Sequence, residues 1–217
     1  LGETYEDSRA FLSVCRKKGV AVQVNYWRRG DALFQRLARS GLREKIGRTL
    51  AAFGIYGNGL KNNGCHMIDF ARMMLGEVKT ARVIAPAQRF EGGPLPGDSN
   101  VSFALEMEEG FSVLFHAIPF APYREIGLDI WGESGRLSIL QESLGIYHYP
   151  RTKNRALTGE REIASDRPRV LKPTCGRALY RLYDNLAAHL RQGDPLWSPG
   201  TEALGTERLI RELSRGL

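Results

Sequence analysis

The chain has 217 residues, 42% hydrophobic and 25% charged, with a net charge of +7; this is ordinary globular composition and enough for one packed core. Its apolar runs fall far short of the roughly 20 residues a membrane helix needs, and its start has no basic flank leading into an apolar stretch, so neither a membrane span nor a signal peptide is expected. Three scattered cysteines, Cys15, Cys65 and Cys175, and four histidines without ligand spacing exclude a disulfide framework and a metal site, and point to a reducing, cytoplasmic compartment.

Thr4 to Lys18 reads as a helix, with Thr4 as N-cap and Asp7 three residues on in a capping-box position. Phe11, Leu12, Val14 and Cys15 form its apolar stripe, and Gly19 ends it. Val20 to Val24 is a β-rich run. Asp31 to Ser40 reads as a second helix with Leu33, Phe34 and Leu37 on one face. "RTLAAFGIY" follows as a strand, and Asn63 to Leu75 as a helix stopped by Gly76.

Beyond Gly76 the pattern changes. Strand-like runs come in quick succession: Thr80–Phe90, Ser99–Met107, Phe111–Ile118, Glu125–Gly132, Arg136–Gln141 and Leu144–Tyr149. Turn signals such as "EEG" and "GESG" join them too tightly for anything but antiparallel pairing. Val113, Phe115 and Ala117 alternate with Leu114, His116 and Ile118, so both faces of that strand are largely apolar. Pro150 to Pro173 holds seven basic residues against three acids. It is either a solvated loop or an anion-facing one, and no motif for nucleic acid accompanies it. Two helices, Arg177–Arg191 and Pro199–Arg215, close the chain. The class is therefore α+β: a large, predominantly antiparallel open sheet with helices on one face. The bare face should carry Ile118, Ile130 or Ile139, depending on register, and needs a partner.

Three stretches offer chemistry. "GNGLKNNGCHMIDFARMMLGE", Gly57 to Glu77, starts like a dinucleotide fingerprint, but it lacks the third glycine and no acid closes the next strand. His66 opens the helix, and Asp69 lies three residues on along the same face, placed to fix its tautomer. Asn62 and Asn63 are natural N-caps. "NYWRRGD", Asn25 to Asp31, follows the first β-run and offers Arg28 and Arg29 to an anionic group, or is a surface loop around a packed Trp27.

Together these residues resemble the glucose–fructose oxidoreductase, inositol dehydrogenase and MocA (Gfo/Idh/MocA) family of NAD(P)-dependent sugar dehydrogenases. "LGETYEDSRAFLSVCRKKGVAVQVNYWRR" looks like the end of that family's Rossmann domain. "GNGLKNNGCHMIDFARMMLGE" looks like its Gly-rich turn and D-x-G-x-H-x-x-D helix, and "LYRLYDNLAAHLRQGDPLWSPGTEALGTERLI" like its closing helices. Two departures stand out: Asn62 replaces the Asp four residues before the histidine, and the Glu-Lys-Pro lysine is not within the chain, whose Leu1 stands where the residue after that proline would be.

The resemblance implies a division into residues 1–30, the last helix–strand unit of a truncated dinucleotide-binding domain, and 31–217, an α+β domain for substrate and oligomer contacts. It implies His66 as the catalytic histidine, with Lys61, Asn62, Asn63, Asp69, Arg28 and Arg29 towards substrate and Asn25 and Trp27 towards cofactor. On this view the glycines form a substrate-side turn. NAD or NADP belongs to the full-length protein, with none expected on this fragment, which should be inactive alone. The substrate is a sugar or nucleotide sugar, in a version of the motif associated with surface polysaccharides. The partner is a second copy, as homodimer or tetramer through the sheet face, with no nucleic acid, membrane or metal. A non-catalytic ligand-binding or assembly domain is the alternative, suggested by Asn62.

Overall fold

The computed structural model describes residues 1–89 and 93–215. Helix α1 (Tyr5–Lys17) begins with the expected capping box: Thr4 Oγ1 accepts from the Asp7 amide, and the Asp7 carboxylate accepts from the Thr4 amide. Its stripe is only partly covered. Cys15 is buried and Leu12 half-buried, but Phe11 and Val14 stay exposed, because α1 packs on one neighbour, α6 (Gly200–Ser214).

The run Val20–Val24 does not form the expected strand. Only Gln23 bridges, to Pro199, while the Val24 amide reaches the Ser198 carbonyl and the Gly200 amide the Val22 carbonyl. The facing segment enters α6 one residue later and cannot continue a ladder. A single 3-10 turn, Trp27–Gly30, leads to Asp31, whose carboxylate caps helix α2 (Ala32–Arg36) through the Phe34 amide at 3.0 Å. The expected helix then runs beyond Ser40, through a wide turn at Leu37–Gly41 into α3 (Leu42–Ile46).

Strand β1 (Thr49–Tyr56) leads through another wide turn, Gly59–Gly64, into α4 (Cys65–Leu75), which Gly76 ends at φ +94°. The strands that follow are β2 (Val78–Val83), β3 (Gln88–Arg89), β4 (Ser99–Asn100), β5 (Phe103–Met107), β6 (Ser112–Ala117), β7 (Gly127–Gly132), β8 (Gly135–Leu140) and β9 (Gly145–Lys153). The expected strand at 80–90 thus splits between β2 and β3, and its last residue, Phe90, lies outside the described residues. The basic segment is not all loop: β10 (Arg161–Ile163) and β11 (Arg169–Val170) both pair with β9. Helix α5 (Ala178–Gln192) precedes α6.

The main sheet has the order β10-β9-β8-β7-β1-β6-β5-β2, with β11 also on β9, and a two-stranded ribbon joins β3 to β4. Every pairing is antiparallel except β1 with β6, so β1 is inserted between β6 and β7. The fold is α+β, as expected.

One face is covered. Ala52, Tyr56, Phe103, Phe115, Ile130, Leu137 and Ile139 form one core with Phe34, Met67, Phe70 and Met74 from the helices. Burying each Leu, Ile, Phe or Met side chain among them contributes about 1.5–3 kcal/mol. Ile130 and Ile139 therefore point inward, contrary to the expectation for the bare face. Ile130 pairs with Ala52 and Leu137, and Ile139 with Leu128, all on the helix-covered side. The bare face instead presents exposed Phe53 and Leu114, with Ile55, Ile118, Trp131 and Tyr147 half-buried.

Candidate functional site

The Gly-rich turn is fixed from a distance. The amides of Lys61 and Asn62 each donate to the Asp98 carboxylate at 3.0 Å, and the Gly59 amide donates to Asn100 Oδ1 at 2.9 Å. Asp98 is buried and also accepts from the Ser99 amide at 2.9 Å. A carboxylate of the chain itself therefore holds the helix-start amides that a phosphate would need. The turn is no dinucleotide cradle, and the described residues offer no fit for the cofactor's phosphates there. Asn62 and Asn63 are not the side-chain caps they were expected to be, since the helical turn begins before them at Gly59. The Asn63 amide group donates to the Gly57 carbonyl at 2.8 Å, so it braces the turn. The Asn62 carbonyl accepts from Cys65 Sγ at 2.9 Å, while its half-buried side chain takes no part in the turn.

His66 sits in the first turn of α4, partly buried, with the Tyr26 ring edge-on at 5.3 Å. Burial, and then the nearby Arg28 cation, lower its pKa to about 4, so the imidazole is neutral at physiological pH. Burial likewise pushes the Cys65 thiol up to about 12 and the Tyr26 phenol far above its usual range, which keeps both protonated.

Asp69 does not orient His66. Both its oxygens accept from Arg29 Nε, at 3.0 and 2.9 Å, and Arg29 Nη2 adds a contact at 2.9 Å. Burial raises the Asp69 carboxyl above its ordinary range against the pull of Arg29. The pair staples the segment after α1 to the centre of α4.

Arg28 behaves differently from its neighbour. It is 5% exposed, with its guanidinium over the Trp27 ring at 4.4 Å and near the Phe70 ring at 5.4 Å. Its Nε is buried without a hydrogen-bond partner. Burial lowers its pKa to about 10. The structure thus gathers His66, Arg28, the Arg29–Asp69 pair and half-buried Trp27 in one place.

Other expected residues lie elsewhere. Asn25 is exposed and lines a small cavity of about 90 Å³ with Leu179 and Tyr183. Lys61 is exposed and borders a cleft of about 880 Å³ shared with Glu207 and Arg211, which neither His66 nor Arg28 lines. Sequence reasoning passed over Asp98, Asn100 and Tyr26, each of which meets the motif from a distant segment or an adjacent loop. It also passed over the strained turn Gln141–Ser143, whose three residues have φ of +49°, +53° and +81°.

Residues 31–138 match the model of a family described as the Gfo/Idh/MocA C-terminal domain. Comparison with curated proteins gives no match. An oxidoreductase from Agrobacterium radiobacter, solved in complex with NAD+, L-tartaric acid and magnesium, is similar to this chain with a TM-score of 0.71 at 16% identity, covering 99% of this chain and 68% of that one. A levoglucosan dehydrogenase in complex with NADH is similar at 16% identity and a TM-score of 0.71, over 98% of this chain and 68% of its own. Aldose–aldose oxidoreductase from Caulobacter crescentus, complexed with glycerol, gives 15% and 0.74, over 98% and 66%.

Proposed function

The chain belongs to the Gfo/Idh/MocA family through residues 31–138, and on that premise we propose that it is the substrate-binding part of an NAD(P)-dependent oxidoreductase acting on a secondary alcohol of a sugar or nucleotide sugar. The observation that carries this reading is His66, a neutral, desolvated imidazole beside a buried cation on the family's motif helix. Neutral His66 accepts the hydrogen bond of a substrate hydroxyl and takes its proton as the carbinol hydrogen leaves. NAD(P), when bound, supplies the hydride acceptor. Tyr26 holds the imidazole edge, and the Asn62 side chain is available to a sugar hydroxyl.

Residues 1–30 would be the tail of the dinucleotide-binding domain, with Trp27, stacked on Arg28, turned to the nicotinamide end and Asn25 set apart from it against Leu179 and Tyr183. The similar proteins that carry NAD+ or NADH favour that cofactor. A nucleotide sugar of surface-polysaccharide synthesis is the finer form of the reading, supported by the basic strands β9 to β11. Between β9 and β10, Arg155 is held by Glu162 and Asp166, while Arg151, Arg161 and Arg169 on the strands stay exposed. A second copy would cover the bare sheet face.

The test is turnover by the protein joined to its cofactor-binding part. His66→Ala should lower kcat by roughly 10²–10⁴-fold and leave cofactor affinity nearly unchanged. A loss below threefold would return His66 to a packing role. Asn62 in place of an acid favours one other reading, a domain that binds ligand without chemistry. Cofactor binding without turnover across a sugar panel, together with turnover gained by Asn62→Asp, would select it.

A further inference from the structure

We propose that the substrate of this site carries a single carboxylate, held by Arg28 beside the hydroxyl that faces His66, so that an acidic sugar or hydroxy acid is preferred over a neutral sugar. The inference rests on the reading of His66 as the group that meets the reacting hydroxyl.

A buried cation without a counter-charge is costly, and proteins keep such a group where a ligand completes it. The neighbouring charges do not complete Arg28. Asp69 is matched by Arg29. Asp31 takes the Phe34 amide and the Thr174 hydroxyl. Glu142, the acid that acts most strongly on Arg28, is bonded to Arg124 at 2.9 and 3.1 Å. No carboxylate among the described residues forms an ion pair with Arg28, and its Nε has no partner. The cluster of Arg28, Arg29, Asp69 and neutral His66 thus holds one unmatched positive charge.

One charge on a planar guanidinium suits a carboxylate, which it can bind through two parallel hydrogen bonds. A phosphate or diphosphate brings more charge and asks for further donors. The amides of Lys61 and Asn62 at the start of the His66 turn are already closed by Asp98. Stacking on Trp27 and beside Phe70 fixes the plane of Arg28, so little side-chain freedom is lost on binding. An anion on Arg28 would also offset the cation that depresses His66, bringing the imidazole nearer the range in which a base works at neutral pH. Substrate charge would then help activate the group that takes the substrate's proton. Tyr26, whose ring packs against that imidazole, stays uncharged there.

The test is binding to the full chain, followed through the His66 ring signals by NMR. The probes are glycolate, D-gluconate and D-glucuronate, their neutral counterparts ethylene glycol, D-sorbitol and D-glucose, and inorganic phosphate. At least one carboxylate should shift the His66 signals saturably and raise its pKa, while its neutral counterpart does neither. Arg28→Gln should weaken that binding roughly tenfold or more, and Arg28→Lys less. Should Arg28→Gln lose its near-ultraviolet dichroism, Arg28→Lys decides, and an affinity equal to the parent's overturns the proposal. Equal binding of acid and neutral probes, tighter binding of phosphate, or no carboxylate bound at millimolar concentration also overturns it. The dehydrogenase reading fails separately. Carboxylate binding without turnover in the complete enzyme sinks that reading alone, and equal turnover of acid and neutral substrates sinks this inference alone.

Discussion

His66 ties the site to the stability of the fold through its charge. In the unfolded chain it titrates near 6.5, and in the folded chain near 4. Above pH 6.5 it is neutral in both states, and its contribution is fully present. As pH falls towards 4 the unfolded chain takes up a proton that the folded chain refuses, so stability is lost across that window, by on the order of 3 kcal/mol. The raised carboxyls of Asp69 and Glu207 have the opposite slope, so the difference between the parent and His66→Gln isolates the histidine. Urea unfolding at pH 7.5 and 4.5 should show the parent losing more stability than His66→Gln. Equal losses would mean that the imidazole is solvated. Asp98 is the second residue of this kind. Asp98→Ala strands the amides of Lys61, Asn62 and Ser99, and should cost about 2 kcal/mol. A cost below 0.5 kcal/mol, roughly the low end for a lost cap, would show that water replaces the carboxylate without penalty.

The wide turn between β1 and α4 depends on its glycine for two reasons at once. Gly59 has φ +93°, and a Cβ there would collide with the Asp98 carboxylate. Gly110, in the turn between β5 and β6, has φ +88° with open space around it. Gly59→Ala should therefore cost roughly 2–4 kcal/mol and Gly110→Ala only about 1, measured by chemical unfolding. Equal costs would remove Asp98 from the argument. This contrast marks what the sequence carries. The periodicity of Leu33, Phe34 and Leu37, the alternation of Val113, Phe115 and Ala117 and the capping box at Thr4 are local signals, and each forms as read. The His66 helix and its glycine stop were equally legible. The insertion of β1 between β6 and β7 was not, because pairing partners 60 or more residues apart leave no mark on either strand alone. The capping of residues 59–62 by Asp98 and Asn100 and the choice of Arg29 over Arg28 by Asp69 are long-range for the same reason. The register that turns Ile130 and Ile139 inward was open for a narrower one: a shift of one residue exchanges the faces, and alternation alone does not name the inner set.

At the scale of the whole molecule, the helices cover one side of the sheet and leave the other bare. Phe53 and Leu114 lie side by side there, paired in register across β1 and β6, and are 42% and 38% exposed. Ile55 and Trp131 extend the patch along and across the sheet. Its border is polar: Arg136 meets Asp129 at 3.0 Å, and Ser112 donates to Glu106 at 2.8 Å. An apolar centre inside a polar rim is the anatomy of an interface. Two copies meeting through this face around a two-fold axis would bury the same patch on each, and the polar rim would set their register. The contact uses no residue of the His66 cluster, so it should persist whether or not the site is filled. Light scattering at micromolar concentration should give at least twice the 24.3 kDa chain mass. Phe53→Asp should dissociate the assembly while leaving the helix-covered core folded, because Phe53 faces away from it. A parent protein that stays at 24.3 kDa at micromolar concentration, or an assembly untouched by Phe53→Asp, would rule the face out as the interface.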